Sequence, residues 1–248
     1  LRDVYKRQGL YRSISATGRP SRGTRATRTA TVTISKLAIL NAVKAAISRA
    51  KASGSPYAKG KAYELRVLLR LLRIIDSAGY KLTCTPKMAG VLTFGGSPCK
   101  ANHPDHDYIS GSTSTEKLEI RISVQVTTLS HSWKGTTVVK AADRHEIDVG
   151  VYRPIKTRRY PAFTELLLGV SCKTGGWNKA YVREALGMRR ELGFLTSPRT
   201  SLTSSAPWFI ATVPCDPPVP FALYATNAGS AVYASLAALG LYVEHYKG

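Results

Sequence analysis

In the run His145-Glu146-Ile147-Asp148-Val149-Gly150-Val151, apolar and acidic residues alternate. Strand side chains project to opposite faces in turn, so Ile147, Val149 and Val151 share one face, and Glu146 and Asp148 the other. The run Leu166–Lys173 has the same form. Leu166, Leu168, Val170 and Cys172 share one of its faces, and Leu167, Gly169, Ser171 and Lys173 the opposite one. If the two strands are neighbours, Asp148 and Lys173 meet at the sheet surface. A carboxylate beside an ammonium at the end of an apolar strand suits chemistry on a phosphate ester, with the acid holding a cation and the lysine facing the reacting oxygen. An ordinary surface ion pair, worth little, would use the same residues.

Glu64 lies four, seven and eleven residues before Leu68, Leu71 and Ile75, which puts it on a helix face that should be covered. A carboxylate there requires a partner or a metal ion. The alternative is an exposed first-turn glutamate favoured by the helix dipole.

The elements that must position these residues are legible in outline. A first helix is expected over Lys36–Ala52, capped by Ser35 and apolar at Leu37, Leu40, Val43 and Ile47, with Gly54-Ser55-Pro56 as its stop. A second helix is expected from Lys61 to Ala78, with Leu65, Leu68, Leu69, Leu72 and Ile75 on its apolar face and Gly79 at the C′ position. Residues 80–86 read as a short strand and residues 87–115, rich in Gly, Pro, Ser and Asn, as a long loop. Further strands are expected over residues 118–129, 145–152, 166–173, 208–213 and 241–245. Helices are expected over residues 178–192 and 230–239, and residues 214–220, rich in proline, as a connection. That order gives one α/β domain, a central sheet flanked by helices.

The 248 residues carry 36 Lys+Arg against 15 Asp+Glu, a formal net charge of +21. Residues 1–8 read like a translated sequencing adapter from assembled environmental DNA and are set aside, which leaves the native start undefined. Residues 9–33, rich in Ser, Thr, Gly and Arg, read as a mobile basic arm or a misframed leader. Residues 1–30 hold eight basic residues and one acid, so +14 remains on residues 31–248. A surplus of that size attracts polyanions, nucleic acid first among them, with a ribosomal partner, a lipid surface or plain solubility as alternatives. No apolar run approaches membrane-spanning length. The four cysteines (Cys84, Cys99, Cys172, Cys215) follow no framework spacing, which suits reduced thiols in a cytoplasm.

The series Ala62-Tyr63-Glu64 on a helix, Gly79-Tyr80 at its end, His145-Glu146-Ile147-Asp148, then Leu168-Gly169-Val170-Ser171-Cys172-Lys173, a helix, and a late strand and helix resembles the PD-(D/E)XK nuclease superfamily, nearest in flavour to Mrr-like restriction endonucleases. The resemblance covers roughly residues 57–246 and rests on short motifs in the right order. It implies a restriction-endonuclease-like core with a mixed sheet over residues 57–248, preceded by an extra N-terminal helix and linker at 34–56. Asp148 then matches the metal-ligating aspartate, Lys173 the lysine of the E-x-K element, Glu64 the acid of the first core helix, and the Cys172 carbonyl a backbone metal ligand. The implied reaction is Mg²⁺-dependent (or Mn²⁺-dependent) hydrolysis of DNA phosphodiesters by an activated water, in restriction or another defence. That biological setting is an analogy of fold alone.

Two positions depart from the pattern. Ile147 replaces the proline before the aspartate, a minor change. Ser171 stands where the family places Glu, Asp or Gln, and a neutral hydroxyl is a weak ligand for a hard dication. Either serine is tolerated, or another acid has moved in, with Glu184 first and Glu146 second as candidates, or catalysis is lost. Lys179, Arg183, Arg189 and Arg190 on the following helix, and Arg158 and Arg159 with Lys156 in the turn at 153–160, are candidate phosphate contacts; as a class such residues are often merely solvated. A homodimer is compatible with the reading. Its rivals are a degenerate nuclease fold that binds nucleic acid without cutting, and a basic RNA-binding domain. Two other site readings are weaker: a zinc site from Cys84, Cys99, His103 and His106, and a Cys172 nucleophile with His145 as base.

Overall fold

The computed structural model describes residues 33–87, 91–94, 98–104, 106–134, 136–155, 159–175, 178–192, 194–195, 215–216, 221–226 and 241–246. The basic arm up to residue 32, the strand expected at 208–213, the helix expected at 230–239, and Lys156 and Arg158 lie outside the described residues.

The first helix, α1 (Lys36–Ala52), has the expected bounds but a different buried stripe. Ile39, Val43 and Ile47, each four residues apart, face the core, while Leu37 is exposed. The second, α2 (Pro56–Ser77), starts five residues before Lys61. The segment read as a stop for α1 is the start of α2: the Ser55 hydroxyl accepts from the Ala58 N–H at 3.1 Å and Pro56 occupies the first turn, where its missing donor costs nothing. Gly79 closes the helix with φ +90°, a conformation open to glycine at little cost.

Six strands follow that bear on the site or flank it: β1 (Lys81–Thr83), β2 (Ile109–Ser112), β3 (Lys117–Thr127), β4 (Arg144–Tyr152), β5 (Leu166–Lys173) and, after the intervening helix, β8 (Phe221–Ala225). Between β3 and β4 lies the short helix α3 (Leu129–Trp133), and after β5 comes α4 (Lys179–Leu192). A two-stranded ribbon, β6 (Phe194–Leu195) with β7 (Cys215–Asp216), stands apart, and β9 (Leu241–His245) is the last strand. The main sheet has seven strands in the order β1-β2-β3-β4-β5-β8-β9. Its first five run antiparallel, and β8 and β9 add in parallel, so the sheet is mixed, as expected of an α/β domain.

Strand β2 lies inside the segment read as a long loop, and β8 falls where no strand was expected. All five residues of β8 are buried. A parallel strand covered on both faces has no alternating pattern to betray it.

Two apolar clusters fill the structure. One joins α1 and α2 to Ile120 and Ile122 of β3, Val149 and Val151 of β4, and Leu168 and Val170 of β5. The other joins Ala185, Met188 and Leu192 of α4 to Val124, Val126, Ile147, Leu223 and Val243. Leu68, Leu72 and Ile75 of α2 are almost wholly excluded from water, each worth about 1.5–3 kcal/mol relative to exposure. Since α1 shares this core, it belongs to the same compact unit, Thr31–Gly248.

The strand-face expectation needs two corrections. A bulge between Val151 and Tyr152 pairs Tyr152 with Leu166 and skips Leu167, which therefore joins Leu168 in one cluster. In β4, Ile147 packs into a different cluster from Val149 and Val151. The same change occurs across the ladder in β3, between Ile122 and Val124. Ser123 lies at that point with φ +51°. Asp148 lies at the same level of β4, on the seam between the two clusters.

Candidate active site

One step past the Val149–Val170 pair, the side chains of Asp148 and Ser171 come together across β4 and β5. Asp148 Oδ2 accepts the Cys172 backbone N–H at 2.6 Å and lies 3.5 Å from Ser171 Oγ. This anchors the carboxylate to the adjacent strand. Lys173, at the end of β5, donates from Nζ to Glu184 Oε1 of α4 at 2.7 Å. Asp148, Ser171, Lys173, Glu184, Glu146 and Arg190 line one pocket of about 500 Å³. Asp148 and Lys173 are thus on the same side of the sheet, facing a common space.

On the other flank stands α2. Glu64 is 18% exposed and sits beneath the strand pair rather than at the pocket wall. Lys61, one helical turn earlier and 13% exposed, donates to Glu64 Oε2 and also to Ser123 Oγ at 2.8 Å. Ser123 Oγ in turn lies 3.5 Å from Glu64 Oε2 and bonds the Glu146 side chain.

The electrostatics tie these groups into one cluster. Burial pushes the Glu64 carboxyl up to about 7, against the pull of Lys61, and the negative charges of Asp148 and Glu146 push the same way. Burial also raises Glu146 and Asp148, and Asp148 adds to the rise of Glu146. For Asp148 the Cys172 N–H and the charges of Lys173 and Lys61 act in the opposite direction. Three carboxylates that raise one another, held in partial burial, make a site that attracts a cation.

Sequence reasoning found Asp148, Glu64, Lys173, Glu146 and Glu184, but missed Lys61 and Ser123. A lysine near the start of a helix reads as a solvated charge, and no local pattern announces a strand serine with positive φ. Glu184, read as a migrated carboxylate or a solvated charge, reaches the pocket while paired to Lys173 and 47% exposed.

The basic residues divide. Lys179, Arg183 and Arg190 are exposed on α4, and Arg190 stands at the pocket. Arg189 is 6% exposed and packs inward, so it is corrected from phosphate contact to core residue. Arg159 is exposed, with its guanidinium over the Tyr160 ring.

The four residues of the zinc reading do not gather. His106 Nδ1 lies 2.6 Å from Cys99 Sγ and the two histidine rings are neighbours, but Cys84 packs in the other apolar cluster. Burial raises the Cys172 thiol well above its ordinary value, with Asp148 and Glu64 adding to the rise, the opposite of an activated nucleophile. Cys84, Cys99 and Cys172 are free thiols.

Among the described residues, no three His, Cys, Asp or Glu side chains converge in a group able to enclose a metal ion. The oxygens of Asp148 and its neighbouring glutamates still fit Mg²⁺, which takes one or two carboxylates and keeps water and substrate phosphate in its remaining positions. Among the described residues, no helix is long and apolar enough to cross a membrane. No family model, no curated protein and no solved structure matches the chain.

Proposed function

We propose that the chain is a Mg²⁺-dependent nuclease that hydrolyses phosphodiester bonds in DNA, with a restriction-endonuclease-like site of the PD-(D/E)XK kind. The observation that carries the reading is the common pocket of Asp148, Ser171 and Lys173, formed by adjacent strands and closed by Glu184. The residual charge of +14 on residues 31–248 supports a polyanionic substrate.

Asp148, fixed by the Cys172 N–H, would hold the cation together with the Cys172 carbonyl, and with Glu146 or Glu64 as a further oxygen donor. The bound Mg²⁺ supplies a lowered pKa for attacking water and positive charge beside the phosphate. Lys173 faces the same pocket and would orient the attacking water and stabilise negative charge on the phosphoryl oxygens. Glu184 holds the Lys173 ammonium in place and takes the part of the displaced acid. Lys179, Arg183 and Arg190 on the exposed face of α4 would contact phosphates on either side of the scissile bond.

The test is cleavage of plasmid and linear DNA with and without Mg²⁺. Asp148→Ala and Lys173→Ala should each abolish Mg²⁺-dependent cleavage and leave DNA binding largely intact. Equal activity in the wild type and both variants refutes the site.

A second reading has its own observation. Ser171 is buried, and its hydroxyl is directed at Asp148 where the resemblance would place an acid. On that reading the fold binds nucleic acid without cutting it. Wild-type protein that binds DNA but shows no divalent-dependent cleavage favours it.

A further inference from the structure

The site has two lysines, and the mechanism above uses one. Lys173 belongs to β5 and is matched by Glu184. Lys61 belongs to α2, on the opposite flank of the strand pair, and is the less exposed of the two. Its ammonium contacts Glu64 and Ser123, and its charge is felt at Glu146, Asp148 and Cys172 as well.

Ser123 makes this arrangement specific. It is fully buried in mid-strand with φ +51°, a conformation costing a non-glycine residue about 1–3 kcal/mol. That backbone turn places one hydroxyl where it accepts from Lys61 and also meets Glu64 and Glu146. The lysine is therefore held at both ends of its reach, by a carboxylate and by a strained serine. With Lys173 matched by Glu184, the formal charge of Glu64, Glu146, Asp148 and Lys61 together is −2, the charge a divalent cation balances.

We propose that Lys61, seated on Ser123, is the built-in countercharge of this carboxylate cluster and competes with a divalent cation for Glu64. The inference rests on the metal-dependent reading above and adds to it a residue that sets how tightly the cation is held. Lys61 keeps the acids together when no cation is bound and weakens the cation's hold when one is. It is a positioning residue, since it acts through Glu64.

The experiment measures Mn²⁺ binding to the full chain by calorimetry and by the paramagnetic resonance of free Mn²⁺, in wild type, Asp148→Asn, Lys61→Met and Lys61→Arg. Lys61→Met removes the charge and keeps similar length, and should tighten Mn²⁺ at least about tenfold, because a like charge next to the cation is gone. Lys61→Arg keeps the charge and should stay near the wild-type affinity. Unchanged or weaker binding in Lys61→Met overturns the proposal, as does equal tightening in Lys61→Arg. If Lys61→Met does not fold, Ser123→Ala removes one of the two seats of the ammonium and should tighten Mn²⁺ by a few-fold; no tightening there overturns the proposal. Wild type that binds no Mn²⁺, or binds it as well after Asp148→Asn, sinks the metal-dependent reading itself. Wild-type binding that needs Asp148, with Lys61→Met failing to tighten it, sinks the Lys61 inference alone.

Discussion

Replacing Glu64 by Gln tests whether the carboxylate cluster is as confined as its geometry implies. In the folded chain, burial and the neighbouring acids hold the Glu64 carboxyl at about 7, against an ordinary value of 4.5. The folded state thus binds a proton more tightly than the unfolded state between those values, and stability must fall as pH rises through that window. At 1.36 kcal/mol per pKa unit, the whole effect is about 3 kcal/mol, complete by about pH 8. Glu64→Gln removes the ionisable group and keeps shape and a hydrogen-bonding oxygen. Urea unfolding of both proteins from pH 4.5 to 8, without divalent cations, should show the wild type losing stability relative to the variant by up to that amount. A wild-type-minus-variant difference that stays constant with pH, or grows in favour of the wild type as pH rises, refutes the argument. Added Mg²⁺ should reduce the loss, because a cation stabilises the ionised form.

Three further outcomes are expected. Ser171→Glu restores an acid beside Asp148: cleavage appearing only in this variant identifies a crippled natural site, whereas undiminished wild-type cleavage shows that the other carboxylates suffice. Arg190→Ala should weaken DNA binding and lower the salt slope of log K by about 1 with no loss of thermal stability, whereas Arg189→Ala should lower the melting temperature. Arg121→Met breaks the buried Arg121–Glu119 pair, whose Arg121 Nη2–Glu119 Oε2 distance is 2.6 Å, and should cost about 3–5 kcal/mol in denaturant unfolding by leaving Glu119 without its cation.

Legibility in the sequence followed the strength of local pattern. The bounds of β5, α1 and β9 were readable because caps, apolar runs and breakers agreed there. The convergence of Asp148 with Ser171 and Lys173 was readable because two adjacent strands with period-two alternation place their side chains by arithmetic. The rest depended on tertiary structure. Phe221–Ala225 is buried on both faces and has no alternation, and Ile109–Ser112 is masked by glycine and serine. Arg189 looked like its exposed neighbours because a basic run hides which member turns inward. Lys61 acquires its meaning only from Ser123, which is 62 residues away in the chain.

The positive φ of Ser123 has a consequence for engineering as well as chemistry. Glycine would adopt that backbone without strain, so Ser123→Gly is a substitution that folding stability alone would favour. A screen for thermal resistance should therefore select it readily, and should return protein that melts later but has lost the hydroxyl shared by Lys61, Glu64 and Glu146. At this one position, hardiness and the integrity of the acidic cluster pull in opposite directions.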